Sequence, residues 1–254
     1  MAKIESEKHS IETTLEKMNV LIVPDVHGRT FWRRAKDLVK DYQKIIFLGD
    51  YLDPYGYEGI TPDMALVEFL DIIEFKKKYP KKVTLLLGNH DLHYLSPYFV
   101  PSSRRDDWRA GEYQEIFEKN RDLFICFKMF RSFGHKWLFS HAGITQHWLR
   151  QNKLLLSDLL DMSMDELLDN KGIKWGGLLE QVSYYRGGSH QWGSPVWMDI
   201  HEGLGDSMVV DDKTTQIVGH NQLRQGIYKE NGAYFTDCRR LIALNTKSKE
   251  ITYA

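Results

Sequence analysis

Apolar runs bounded by polar or glycine residues recur through the first half of the chain and alternate with stretches of helical period. MNVLIVP, KIIFLG and VTLLLG read as strands over 19–24, 44–48 and 82–87, with helices expected near 30–42 and over 62–78 between them. The second helix opens at Thr61-Pro62-Asp63, a capping hydroxyl followed by proline at the first helical position. Its residues Met64, Leu66, Val67, Leu70, Ile73 and Phe75 fall roughly on one face. From about 123 the pattern turns to strands, LFICFKMFR and HKWLFS, around a glycine-containing turn. A helical insert is expected at about 145–170, with Ser157 and Ser163 as its caps, and TTQIVG, GAYFTDC and LIALN return to strand. Strands alternating with helices indicate βαβ units and an α/β fold.

Residues 171–207, richest in Gly and Trp and weak in periodicity, read as a long structured loop. The first 17 residues, MAKIESEKHSIETTLEK, read as a polar, helix-compatible extension without the apolar core of a signal peptide. No repeat, low-complexity tract or linker divides 18–254, which is expected to form one domain.

Charge narrows the choice of partner. With 34 basic against 35 acidic residues and a net charge of −1, the chain carries no general basic field for nucleic acid or an anionic membrane. No apolar stretch reaches the roughly 18 residues of a membrane span. Cys126 and Cys238 are too few for a disulfide framework, and a cytoplasmic protein with reduced thiols is expected.

The candidate chemistry sits just after the strands: Asp25 and His27 in DVHGR, Asp50 in GDYLD, Asn89 in GNHD, His141 in SHAG and His220 in GHNQ. In an open α/β sheet the carboxyl ends of the strands open onto the binding crevice. Two carboxylates, three imidazoles and one amide meeting there form a ligand set for two divalent metals, which makes phosphate-ester hydrolysis the leading expectation. Asp25 and His27 are two apart, so an extended chain would point both to one side, and Gly28 lets the backbone turn beside them. Oxygen and imidazole donors without thiolate suit Mn²⁺, Fe or Zn²⁺ better than Mg²⁺, and Mn²⁺ is the ion expected.

These blocks resemble the calcineurin-like metallophosphoesterase superfamily, whose pattern runs D-x-H, G-D-x-x-D, G-N-H-D/E, a His in a short Gly-containing turn, and G-H. DVHG, GDYLD and SHAG are most similar to its phosphoprotein phosphatase branch, which includes symmetrical diadenosine tetraphosphate hydrolases. The resemblance runs from about Met18 to the C-terminus. It implies a four-layer α/β/β/α sandwich with a dinuclear metal site at the strand C-terminal ends. Asp25 and His27 would hold one ion, Asp50 would bridge, and Asn89, His141 and His220 would hold the second. A water between the ions would lose a proton near neutral pH and attack the phosphorus. His90 would protonate the leaving group while Asp53 orients its ring, and Asp91 would brace the loop.

One departure stands out. The branch pattern continues as G-D-x-V-D-R-G, and its Arg binds the phosphate, but Pro54-Tyr55 stand there in this chain. The branch's second phosphate Arg lies upstream of an apolar-Trp-x-Asp segment, which Arg186 ahead of Pro195-Val196-Trp197-Met198-Asp199 matches. Arg29, directly after DVHG, is a candidate replacement for the missing cation, and Arg104-Arg105 form a further one. His93, just past GNHD, reads as a satisfied surface or core histidine, with a place in the pocket lining as the alternative.

The expected activity is a metal-dependent phosphomonoesterase of the serine/threonine phosphatase type, acting on a phosphoprotein or small phosphoester. A phosphodiesterase or dinucleoside polyphosphate hydrolase is the alternative. A non-catalytic scaffold would show an eroded ligand set, and all six positions are filled. No G-x-S-x-G elbow, G-x-x-x-x-G-K-[ST] loop or C-x-x-C pair points to other chemistry.

Overall fold

The computed structural model describes residues 12–14, 17–95, 104–162, 164–168 and 177–254. Two six-stranded sheets form its centre. One has the order β12-β11-β2-β3-β4-β5 and the other β1-β6-β7-β8-β10-β9. The first contains β2 (Asn19–Val23), β3 (Lys44–Phe47), β4 (Val83–Leu86) and β5 (Phe124–Ile125), all parallel, with β11 (Ile242–Asn245) and β12 (Glu250–Tyr253) added antiparallel at its edge. The second contains β1 (Glu12–Thr14), β6 (Lys128–Ser132), β7 (His135–Phe139), β8 (Thr214–Val218), β9 (Tyr228–Glu230) and β10 (Ala233–Phe235). Its strands β7, β8 and β10 run parallel.

The pleat explains the layering. Alternate residues of β2 and β3 point to opposite faces. Val20, Ile22 and Ile46 meet Phe130, Trp137, Phe139 and Ile217 of the other sheet in one apolar cluster. Leu21, Val23, Ile45 and Phe47 face the other way and join a second cluster with residues of α2 (Pro62–Lys78). On the outer face of the second sheet, Met198 and Met208 pack against Val218, Ala233 and Phe235. The result is the α/β/β/α sandwich.

Several local expectations need correction. Helix α2 starts as the sequence indicates, with the Thr61 hydroxyl accepting from Met64 N–H and Pro62 at its first position. Its buried face, however, is Ala65, Glu68, Phe69, Ile72, Ile73 and Phe75, while Met64, Val67 and Leu70 are exposed. Glu68 turns inward because Trp32 Nε1 donates to it at 2.9 Å and Arg33 binds it through two nitrogens at 2.9 and 2.6 Å. The segment 30–42 is one short turn of α1 (Arg34–Asp37) between 3-10 turns rather than a continuous helix. LFICFKMFR is two strands in different sheets: the chain leaves β5 at Ile125 and enters β6 at Lys128. Glu12–Thr14 is a strand paired parallel to β6, not helix, and the remainder of 1–16 lies outside the described residues.

The helical insert comprises α5 (Gln146–Gln151), α6 (Leu156–Asp161) and α7 (Met164–Leu168), after α3 (Asn89–Leu95) and α4 (Ala110–Lys119) earlier in the chain. Thr145 caps α5. Ser157 lies within α6 instead of capping it, since Asp158 accepts from the Leu155 N–H at the helix start. Ser163 falls outside the described residues, as do positions 171–176 of the expected Gly/Trp-rich loop. From 177 onward that loop is built of 3-10 turns at Leu178–Glu180 and Tyr184–Arg186 and one bridge, Ser183 to His190.

Candidate metal centre

Strand ends position the ligands. Asp25 follows β2, Asp50 follows β3, Asn89 opens α3 after β4, His141 follows β7 and His220 follows β8. Backbone bonds lock the loops together: His27 N–H donates to Asp50 O at 2.7 Å, Gly28 N–H to Tyr51 O at 2.9 Å and Gly219 N–H to His141 O at 2.7 Å. The carboxyl ends of both sheets thereby meet at one place. His27, Asp50, Asp53 and His220 all have positive φ, between 45° and 64°. Such left-handed backbone is costly for residues other than glycine and clusters at functional sites. Here it turns each side chain away from its strand and toward the centre. Asp25 and His27 therefore converge through a turn, with His27 at φ 45°, and not through the two-residue period of an extended strand.

Two half-sites share one carboxylate. His27, Asp50 and His90 present donor atoms within 4.8 Å of one another, and so do Asp50, His141 and His220. Asp50 Oδ2 lies 3.4 Å from His27 Nε2 and 3.5 Å from His141 Nε2. His141 Nε2 is also 3.0 Å from Asn89 Oδ1 and 3.1 Å from His220 Nδ1. Asp25 reaches the group through its carboxylate, which accepts from the His220 backbone N–H at 2.9 and 3.1 Å. The structure thus brings all six expected ligands together.

The donor set fits a pair of cations. His27 Nδ1 is 2.9 Å from Leu52 O and His141 Nδ1 is 2.7 Å from Leu48 O. A carbonyl only accepts, so each ring carries its proton on Nδ1 and turns the lone pair of Nε2 inward, the arrangement that metal-binding histidines use. Two glycines make room. A Cβ on Gly88 would lie 2.1 Å from Asp50 Oδ1, and one on Gly219 would lie 2.3 Å from Asp25 Oδ1.

Electrostatics show why the set needs positive charge. Burial pushes Asp25 up to about 6 and Asp50 up to about 8, and presses His27, His141 and His220 below the usual imidazole value. Without a cation both carboxyls hold their protons to higher pH than an ordinary aspartate does. A divalent ion reverses that preference by stabilising the ionised form.

Beside the ligands lies a second constellation. His90 Nδ1 is 2.8 Å from Asp53 Oδ2, and His93 Nε2 is 2.9 Å from the same oxygen. Tyr94 O–H donates to the other Asp53 oxygen. Burial raises the Asp53 carboxyl, but its hydrogen bonds with His90 and His93 outweigh this and hold it below the ordinary range. Burial lowers His90 to about 4, against the opposing pull of Asp53. Asp91 accepts the backbone N–H groups of Asp50 and Gly88, both at 2.8 Å, and of Tyr51 at 3.0 Å.

The arginines separate by their partners. Arg29 binds Glu58 through Nε at 2.8 Å and Nη2 at 3.1 Å, and donates to the Asp25 carbonyl at 3.3 Å. Glu58 holds Arg239 as well, at 2.8 Å. Arg29 is therefore a brace behind Asp25 that shares Glu58 with Arg239. Arg186 Nε sits 2.8 Å from Asp199, and its Nη2 donates to Asn221, the neighbour of His220. Arg104 reaches the centre itself, with Nη2 3.2 Å from His90 Nε2 and 3.4 Å from His27 Nε2.

The sequence reading missed Asp237. It is buried, burial and the Asp25 charge raise it well above the ordinary carboxyl range, and among the described residues neither oxygen has a hydrogen-bond partner. The signal was present: Asp237 follows strand β10, so the strand-end reasoning that picked out the ligands applies to it too.

Comparison with known proteins agrees with this geometry. A serine/threonine phosphatase from Saccharomyces cerevisiae, with similarity to human PP5, superposes with a TM-score of 0.58 at 13% identity, covering 98% of this chain and 83% of that one. Among sequences, serine/threonine-protein phosphatase 4 catalytic subunits from Eremothecium gossypii and Candida glabrata are 28% and 27% identical over 105 residues, 39% of this chain. The match spans only 27% and 28% of those relatives' lengths. Their similarity supports the phosphoprotein phosphatase branch. Residues 18–221 match the calcineurin-like phosphoesterase family, and the chain belongs to it as a hydrolytic metallophosphoesterase.

Proposed function

We propose that this enzyme is a phosphomonoesterase of the serine/threonine phosphatase type, with one metallophosphoesterase domain spanning 18–254. The observation that carries the reading is the His90–Asp53 pair, bonded at 2.8 Å, with the His90 ring 5.0 Å from that of His27. An acid so placed faces the side of a bound phosphate opposite the nucleophile, where the leaving alkoxide departs.

When bound, two divalent ions would supply Lewis acidity and an ionised water as nucleophile. Asp25 and His27 would hold one, Asp50 would bridge, and Asn89, His141 and His220 would hold the other. Three imidazoles beside oxygen donors, with no thiolate, support Mn²⁺, with Fe or Zn²⁺ as substitutes. The chain's own groups do the rest. Asp53 fixes the His90 tautomer and favours its protonated form. The negative charge of a substrate phosphate lying against the ring acts in the same direction, against the burial that lowers His90. Arg186, beside Asn221 and His220, would grip a phosphoryl oxygen. Substrates are phosphoproteins or small phosphoesters, and two cysteines, too few for a disulfide framework, fit a cytoplasmic setting.

The diesterase or dinucleoside polyphosphate reading is favoured by one observation, the loss of the phosphate arginine at Pro54. A panel assay separates the two. Metal-stripped protein re-supplied with Mn²⁺, Fe²⁺, Zn²⁺ or Mg²⁺ is tested on p-nitrophenyl phosphate, bis-p-nitrophenyl phosphate, a phosphoserine peptide and a dinucleoside tetraphosphate. Faster turnover of the monoesters supports the proposal, and preference for the diester or the tetraphosphate overturns it.

A further inference from the structure

Pro54 and Tyr55 leave the site without a cation at that point in the chain, yet a guanidinium lies there. Arg104 stacks on the Tyr55 ring, with its central carbon 3.6 Å from the ring centroid. Its Nε donates to the Asp53 carbonyl at 3.1 Å, across 51 positions of sequence. These two contacts fix the plane of the guanidinium and leave Nη2 directed at His90 Nε2 and His27 Nε2, 3.2 and 3.4 Å away. Tyr55 is itself set edge-on against His27, with ring centroids 5.1 Å apart.

Charge distinguishes Arg104 from its neighbours. Arg29 shares Glu58 with Arg239, Arg105 pairs with Asp107 and Arg186 with Asp199. Among the described residues, no carboxylate forms an ion pair with Arg104. A half-buried cation without such a pair, directed at His90 and His27, favours an anion there. The two acceptors it meets also define where that anion would sit. In the loaded enzyme the His27 lone pair belongs to a metal, and His90 must turn its Nε2 proton to a leaving group. A guanidinium between them can then donate only to something that lies between metal and acid, which is the phosphoryl group being transferred.

We propose that Arg104, positioned by Tyr55, is the phosphate clamp of this site, supplied by a distant segment in place of the arginine missing at position 54, and that it selects terminal phosphoryl dianions over diesters. Tyr55 acts as a positioning residue. The inference rests on the phosphoesterase reading above, and it explains how the loss at Pro54 is compatible with a monoesterase.

The test is equilibrium binding of orthophosphate to Mn²⁺-loaded protein by calorimetry, which needs no turnover. Arg104→Met should weaken orthophosphate roughly 10–150-fold, as expected for a lost charge-assisted contact, with metal content unchanged. Arg104→Lys should recover part of the loss, because a point charge without the planar fork satisfies the geometry less well. In turnover, Arg104→Met should lose more on p-nitrophenyl phosphate than on bis-p-nitrophenyl phosphate. Tyr55→Phe should bind orthophosphate as wild type does, while Tyr55→Leu should weaken it. Unchanged orthophosphate affinity in Arg104→Met overturns the clamp, as does a loss accompanied by loss of metal. A wild-type enzyme that prefers diesters would sink the monoesterase reading, and the binding experiment would still judge Arg104.

Discussion

Asp50→Asn tests whether the centre is built for cations at the expense of the metal-free fold. Asp50 has φ 53°, a left-handed conformation that asparagine tolerates, and an amide keeps the oxygen that accepts from His90 N–H. The variant should therefore fold. In metal-stripped protein burial holds the Asp50 carboxyl at about 8, against an ordinary 3.8. The folded chain keeps a proton there that the unfolded chain has already released. Stability consequently falls as pH rises between the two values, and the fall is complete once pH passes the folded one. The histidines act lower down. Burial presses His27, His141 and His220 below 6.5, so they cost stability around and below that value, a cost that fades within about one pH unit above it and is shared by wild type and variant. Asp25, at about 6, is already mostly ionised at pH 6.5 and adds little above it.

What separates wild type from Asp50→Asn between pH 6.5 and 8 is the Asp50 carboxyl, whose slope is about 1.4 kcal/mol per pH unit while it holds its proton and declines as pH nears 8. For Asp50 alone this is about 2 kcal/mol over the interval. Asp91 and Asp237, raised well above the ordinary range mainly by burial, slope the same way in both proteins, and losing the Asp50 charge in the variant lowers Asp91 somewhat, which adds to the expected difference. Urea denaturation of metal-stripped wild type and Asp50→Asn at the two pH values reads the difference directly. Wild type should lose about 2 kcal/mol more than the variant. Added Mn²⁺ should abolish that excess in wild type, because the cation stabilises the ionised carboxylate. Parallel pH dependences in the two stripped proteins would refute the reasoning, as would a variant that still binds two ions with wild-type affinity.

Three further outcomes follow from the same geometry. His90→Asn should depress kcat by about 10²–10⁴-fold on substrates with basic leaving groups and much less on p-nitrophenyl phosphate, and equal losses would remove His90 from the acid role. Arg186→Ala should lower kcat/KM roughly 10–150-fold, more for a monoester than for a diester, and wild-type kinetics would place it outside the reaction. Gly88→Ala should reduce metal stoichiometry, measured by atomic absorption, because its Cβ would lie 2.1 Å from Asp50 Oδ1 and 2.7 Å from His141 Cε1; full metal loading would show that the loop yields.

The ligands were legible because each follows an apolar run, and the runs are strands for a simple physical reason: both faces of the first sheet are covered. Val20 and Ile22 face one cluster and Leu21 and Val23 the other, so the segment reads as continuous hydrophobicity. The face of α2 was less legible. Its apolar residues include Met64 and Val67, which are exposed, while the buried stripe includes Glu68, whose burial depends on Trp32 and Arg33 from another segment. No periodicity in 62–78 carries that partner. The break at Cys126-Phe127 was hidden likewise, since both residues are buried and the change of sheet alters no hydropathy. Arg104 illustrates the same limit at the site. It lies 51 positions from the carbonyl it binds, and only the fold brings it over Tyr55.

The short blocks of the chain carry backbone information as well as ligands. Asp91 is not among the expected ligands, yet it accepts N–H groups from Gly88 in its own block and from Asp50 and Tyr51 in GDYLD. Asp50 and Asp53 stand in left-handed conformations, which cost of order 1 kcal/mol or more each unless neighbouring structure holds them. Three amides on one buried carboxylate provide such a hold at Asp50. They also join the loop carrying Asp50 to the loop carrying Asn89 and His90. Asp91 stays raised well above the ordinary carboxyl range by burial, with the Asp50 charge adding to it, while those amide bonds oppose the shift. A cation shared through Asp50 would relieve that repulsion. Metal binding and the strained turn therefore support each other, and a change at Asp91 should be felt first as altered metal affinity, before any loss of fold.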